Sequence, residues 1–256
     1  MICEAAIGSG LQGVEWATGV AQSLGPRDLP ARGKRIAKIT SDAGLAVCGL
    51  SAQDELALAG PIDGFEHLVE LALATHATQL RVFAPPYAGG AAGDELDRLS
   101  DDLAERVSIA TRNGLVLLVE MAPATLVPGP EFLVRVARRL PCEAFGAVYD
   151  PGSMMMEGHL APAFAVAVLG PYLHHVHVKD VVPRRVDGTW TWAHTPPGAG
   201  LVPWPEVLAA LAGGDYRGWL VLDHLSGRPG SARLRSDIRA FRALLDRPQT
   251  SEVQTS

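Results

Sequence analysis

No Cys-x-x-Cys spacing occurs anywhere in this chain. Its three cysteines, Cys3, Cys48 and Cys142, are odd in number and far apart. That excludes a zinc framework or a disulfide scaffold and reads as free thiols in a reducing compartment. No apolar run approaches the ~20 residues of a membrane span. No basic-then-apolar leader opens the sequence, so the expectation is a cytoplasmic protein with no membrane partner. Basic clusters are missing as well. Lysine occurs only at 34, 38 and 179, and the formal net charge is -6, which argues against nucleic acid as a partner. No GxGxxG or Walker loop follows an apolar run, which counts against a nucleotide-binding open sheet. No linker rich in Pro, Gly or Ser divides the chain. A single domain over 1–246 is expected, with a disordered polar tail at 247–256.

What is present is alternation. The 256 residues are 48% hydrophobic, enough to bury a substantial core. Short apolar runs end near residues 17, 50, 84, 120, 150, 178 and 223. Helical patterns lie between them, clearest over Asp94–Asn113 with acids early, Arg112 late and Gly114 as the stop. Asp180 to Val202 reads as one long loop. Strand and helix in alternation, with nearly continuous apolar strands, predict a buried parallel sheet covered by helices. Glu15, Glu120, Asp150, His177 and Asp223 each fall at or near the C-terminal end of an apolar run. Sites of closed β/α barrels sit at strand ends, so the expected fold is an α/β (β/α)8 TIM barrel. Only seven strands are visible.

The stretch from Phe145 to Asp180 carries the chemistry. It reads FGAVYDPGSMMMEG, an apolar helical segment, then YLHHVHVKD. Alternation along a strand puts His175, His177 and Lys179 on one face and His174 on the other. A lone strand histidine is more often a satisfied core residue than a ligand, and Asp before Pro-Gly is ordinary turn chemistry. Together, at matching strand ends, they favour a ligand set.

GLQGVEW (10–16), YDPGSMMMEG (149–158), HVHVKD (175–180), DGTW (187–190) and DYRGWLVLDH (215–224) resemble the sugar-phosphate isomerase/epimerase family of xylose-isomerase-like TIM barrels, over most of the chain. The resemblance implies a divalent ion (Mn, Co or Mg) held by Glu120, Asp150, His177 and Asp223. Two departures stand out. The last ligand is Asp223 where the family usually has Glu, with His224 beside it. The first barrel strand is also absent before GLQGVEW, its place left to an upstream segment, another segment or another chain.

Three carboxylates and an imidazole suit Mn, Mg or Co. An ion chelated by a hydroxyl and a carbonyl acidifies the C–H proton and stabilises the enediolate. Glu120 and Asp223 are assigned as the acid/base pair. The expected activity is isomerisation or epimerisation of a sugar, sugar phosphate or cyclitol. The alternatives are a lyase on the same scaffold, an inosose-type dehydratase or a C-glycoside-cleaving subunit, and a metal-impaired binding barrel. A homo-oligomer or partner subunit is compatible with all of these. Candidate substrate contacts are Glu15, Arg81, Glu157, Lys179, Arg184 and Trp190. Against them stand a bond within the barrel mouth for Glu15, a buried ion pair for Arg81 and a helix cap for Glu157. The segment 180–202 is either an aromatic lid or a surface hairpin whose tryptophans shield a helix.

Overall fold

A computed structural model of the chain describes residues 9–19, 29–52, 62–158, 160–223 and 231–246, together with Cys3 and Ala6. Its elements begin with β1 (Gly13–Ala17), α1 (Leu29–Asp42), β2 (Ala46–Ser51), α2 (Ile62–Thr75), β3 (Gln79–Phe83), α3 (Ala92–Arg112) and β4 (Val116–Glu120). They continue with α4 (Pro130–Ala137), β5 (Phe145–Tyr149), α5 (Pro151–Glu157), α6 (Pro162–Leu169) and β6 (Leu173–Val178). The hairpin strands β7 (Asp180–Val186) and β8 (Thr189–Thr195) come next, then α7 (Trp204–Gly213), β9 (Trp219–Leu222) and α8 (Ser231–Leu245).

Seven strands form one sheet in the order β1-β2-β3-β4-β5-β6-β9, every neighbouring pair parallel. Sequence order is spatial order, as right-handed β-helix-β crossovers demand. The sheet curls into a nearly closed β/α barrel, with β1 and β9 at its two edges among the described residues. All five residues of β5 are buried, because the strand is covered by helices outside and packed side chains inside. The outer layer packs on it through side chains such as Trp204 of α7, set edge-on to Phe241 of α8 at 5.4 Å.

Between β1 and β9 the described residues contain no strand. A cavity of about 510 Å³ lies there, lined by Leu11, Val14, Leu222, Leu234, Ile238 and Phe241, among others. The Trp219 ring leans across it, and a Cβ on Gly13 would come within 3.0 Å of that ring. Gly13 is what lets β9 reach toward β1.

One open reading is resolved and one local expectation is corrected. The segment after Asp150 is a helical turn, α5, whose first residue is Pro151 and whose N-cap is Asp150, accepting from the Ser153 N–H. The expected long loop is largely an antiparallel hairpin. Its turn is Asp187-Gly188 with φ of 48° and 81°, the left-handed pair that suits a two-residue turn. No single helix among the described residues is long and apolar enough to cross a membrane. His224 and the tail from Arg247 lie outside the described residues.

Candidate metal centre

β4, β5, β6 and β9 deliver one side chain each to a common point. Glu120 ends β4 and Asp150 follows β5 directly. His177 lies one residue inside the end of β6, and Asp223 follows β9, its N–H bonded to the Val178 carbonyl at 3.0 Å. One donor atom from each of Glu120, Asp150, His177 and Asp223 lies within 4.8 Å of the other three. Glu120, Asp150 and His177 are buried, whereas the Asp223 side chain is 31% exposed.

The donor set suits a hard or borderline dication, and one atom of it lacks a partner. His177 Nδ1 is buried without a hydrogen bond and faces Glu120 Oε2 at 3.6 Å and Asp223 Oδ2 at 3.7 Å. An unsatisfied buried nitrogen costs about 1–3 kcal/mol, and an ion among these four groups would satisfy it. The other ring nitrogen is fixed: His177 Nε2 sits 2.9 Å from Glu15 Oε2, donating its hydrogen there. A carboxylate behind a histidine sets the tautomer and orients the free lone pair.

Glu15 belongs to a layer beneath the four ligands. Arg81 Nε donates to Glu15 Oε1 at 3.1 Å, while its two terminal nitrogens bond Glu120 and the Ser51 hydroxyl. The guanidinium also stacks on Phe83, 4.6 Å from the ring centre. His175 places Nε2 3.3 Å from Glu15 and Nδ1 2.9 Å from the Gln79 side-chain oxygen. Above this layer, Lys179 ion-pairs with Asp150 and lies 3.7 Å from Asp223. Its stem runs over Gly152, where a Cβ would meet Lys179 Cγ at 2.6 Å. That glycine keeps the path open.

Charge in this pocket is crowded. Burial opposes the charge on Glu15, but His177 and Arg81 outweigh it and hold the carboxyl well below its usual range. Glu120 follows the same logic, with burial overcome chiefly by Arg81, and falls to about 2. Burial disfavours a charged His177, yet Glu120 and Glu15 hold its imidazole well above the ordinary value. Asp150 is raised by complete burial and by the neighbouring Glu120 and Asp223, against the pull of Lys179. An acid-rich pocket draws cations, and two buried ones, Arg81 and Lys179, already flank it.

Of the sequence candidates, the four ligands, Glu15, Arg81 and Lys179 converge. The reading of Arg81 as a buried ion pair is the one the structure bears out. Glu157, Arg184 and Trp190 stand elsewhere. Glu157, at the end of α5, accepts from the Ala124 N–H at 2.8 Å. It does not cap α6, whose N-cap Ala161 has no side-chain bond. Arg184 and Trp190 are exposed on the hairpin. Sequence reasoning missed Ser51 and Gln79, which hold Arg81 and His175; a glutamine opening an apolar strand was the available signal. It also missed Asp180. Fully buried, that carboxylate accepts from the N–H groups of Val181, Gly198, Gly200 and Val202 and so seats the hairpin base beside Lys179.

A family model described as xylose isomerase-like TIM barrel matches residues 3–244. An inosose dehydratase of Bacillus thuringiensis is 25% identical over 141 residues, 51% of this chain and 47% of that protein. The chain thus spans about half the length of the curated relatives it matches. Among solved structures, the probable 3-DHS dehydratase AsbF of Bacillus anthracis superposes with a TM-score of 0.77 at 18% identity, covering 94% of this chain and 92% of that one. The 3-keto-D-glucoside 4-epimerase YcjR of E. coli gives 0.73 at 14% identity, covering 95% and 92%. At such identities the likeness is one of fold.

Proposed function

We propose, for a chain that belongs to the xylose isomerase-like TIM barrel family, a divalent-metal-dependent enzyme that moves a proton on a carbon next to a carbonyl. Its substrate is a sugar, sugar phosphate or cyclitol, and the net reaction is isomerisation or epimerisation. The single observation that carries this reading is the convergence of four donors within 4.8 Å around an unpartnered His177 Nδ1. Glu120, Asp150, His177 and Asp223 would hold manganese, cobalt or magnesium. The bound ion would polarise a hydroxyl and the adjacent carbonyl oxygen of the substrate, which acidifies the C–H bond between them.

The protein's own groups supply the rest. Glu15 keeps the hydrogen of His177 on Nε2 and leaves Nδ1 to the ion. Glu120 and Asp223 are the carboxylates available for proton transfer, and their surroundings differ. Arg81 suppresses the proton affinity of Glu120, so Glu120 serves chiefly as ligand. Asp223, at the open edge of the barrel, takes the proton and returns it. Lys179, 3.7 Å from Asp223, places a positive charge where the substrate oxygen becomes negative. Walls of buried side chains on the β4–β6 flank keep water from the ligand cluster.

A dehydratase is the second reading, favoured by the inosose dehydratase and probable 3-DHS dehydratase among the relatives. It shares the first proton abstraction and diverges only when a β-hydroxyl leaves. Incubation with manganese and a panel of keto-sugars and inososes in D2O, read by mass spectrometry, separates the two. One added mass unit on substrate and product marks isomerisation or epimerisation, and loss of water marks the lyase. Asp223→Asn is expected to slow exchange at least 100-fold, on the scale typical of general acid–base catalysis. Native protein that binds manganese yet exchanges no carbon-bound hydrogen in the panel defeats both readings.

A further inference from the structure

The hairpin β7–β8 is the one described element that projects from the barrel as its own two-stranded sheet. Its register separates side chains that the sequence left ambiguous. Val181 pairs with His194, Pro183 with Trp192 and Arg185 with Trp190. Directly opposed residues share a face, so these six lie on one side of the ribbon. Arg184, opposed to Thr191, lies on the other.

The base of the Trp face lies beside the candidate metal centre. His194, at its base, borders a small cleft together with Lys179 and Asp223. From there Trp192 and Trp190 follow at two-residue steps, each about 7 Å further along the strand, so the indole of Trp190 stands about 13 Å beyond His194. Trp192 is 37% exposed and Trp190 69% exposed, so the outer ring is mostly open to solvent. Arg185, anchored by Nε on the Gly188 carbonyl at 3.3 Å, stands opposite Trp190. A row of flat rings with a guanidinium at its end matches the apolar face and hydroxyl edge of a sugar ring.

We infer that this ribbon face is a subsite for a second sugar ring, so that the substrate is a glycoside of at least two rings and not a free monosaccharide. The inference rests on the proposed sugar chemistry at the metal centre, and it places Arg185, not Arg184, beside the distal ring. The reacting ring occupies the strand ends, and the ring attached to it lies along Trp192 and Trp190.

The test follows the indole N–H signals of the magnesium-loaded, 15N-labelled chain by NMR during titration with D-glucose, maltose and cellobiose. Trp190 and Trp192 signals are expected to shift with a disaccharide and not with glucose, and the preferred disaccharide to bind about tenfold more tightly. In the double variant Trp190→Ala, Trp192→Ala that advantage disappears while the glucose affinity stays. Disaccharides that bind no tighter than glucose overturn the inference, as does a variant that loses both ligands alike. A native dimer that the double variant converts to a monomer, read by light scattering, assigns the face to a second copy instead. A native chain that takes up no magnesium defeats the metal reading, and the indole shifts are scored independently because stacking needs no ion.

Discussion

Two flanks of the barrel build one site with different materials. On the β4–β5–β6 flank every strand has neighbours on both sides, β5 is wholly buried, and the side chains of Glu120 and His177 are 4% and 1% exposed. On the β9–β1 flank each strand pairs on one side only among the described residues, all four residues of β9 are half-buried, and a cavity of about 510 Å³ separates the two edges. Asp223 stands on that second flank. The positions of Glu120, Asp150 and His177 are thus set by packing, while Asp223 stands beside the cavity at the sheet edge. A proton carrier gains from such openness; a structural ligand does not.

The sharpest way to break this comparison is to remove one carboxylate from each flank. Asp150→Asn removes the direct ion-pair partner of the buried Lys179 ammonium, leaving Asp223 at 3.7 Å, and weakens a helix cap. Urea unfolding of the metal-free protein should show a loss of about 3–5 kcal/mol, as for other broken buried pairs. Asp223→Asn, on the open flank, should change stability by no more than about 1 kcal/mol. Equal losses from the two variants mean that the flanks do not differ.

A smaller effect is expected one layer down. Glu15→Gln keeps the shape but no longer holds His177 as firmly, and manganese affinity measured by calorimetry should fall about 10–100-fold. An unchanged affinity shows that the layer beneath the ligands is packing alone.

The smallest effects are those of pH. Glu120 is depressed to about 2 from an ordinary 4.5 in the metal-free protein. Its contribution to stability is complete above about pH 4.5 and lost as the pH falls toward 2. His177 has the opposite sign. Against burial, Glu120 and Glu15 raise the imidazole well above its ordinary 6.5, so the stability gained is complete below about pH 6.5 and lost as the pH rises through the raised value. Ion binding needs the neutral ring, so manganese uptake below about pH 6.5 should release a proton from the charged ring, read as a buffer-dependent calorimetric heat. No dependence on buffer ionisation enthalpy places the ion away from His177.

Much of this was legible in the chain. LVLLVE and FGAVYD announce strands through unbroken apolar runs, and their closing acids announce a site, because a run that ends in a carboxylate must end at a surface or a ligand. The short helix after Asp150 was hidden because Asp-Pro-Gly serves equally as turn and as helix start. The hairpin was hidden because its outer half carries tryptophans on one face, threonines on the other and an arginine on each, with no apolar side to impose alternation. DGTW held the turn signal, but the pairing that separates Arg184 from Arg185 depends on a register no single strand contains. The layer of Glu15, Arg81, His175 and Gln79 joins residues 66, 96 and 162 positions apart, and nothing local announces such a bond.

By itself the sequence determined where the seven sheet strands and the longer helices lie and which strand ends carry carboxylates or an imidazole, because side-chain periodicity and strand termination are local properties of the chain. Only the tertiary structure decided which nitrogen of His177 is free, that Arg81 is spent on Glu15 and Glu120, and that Asp223 faces an open slot. Those depend on distances between strands remote in sequence, and such distances are fixed by how the sheet curls.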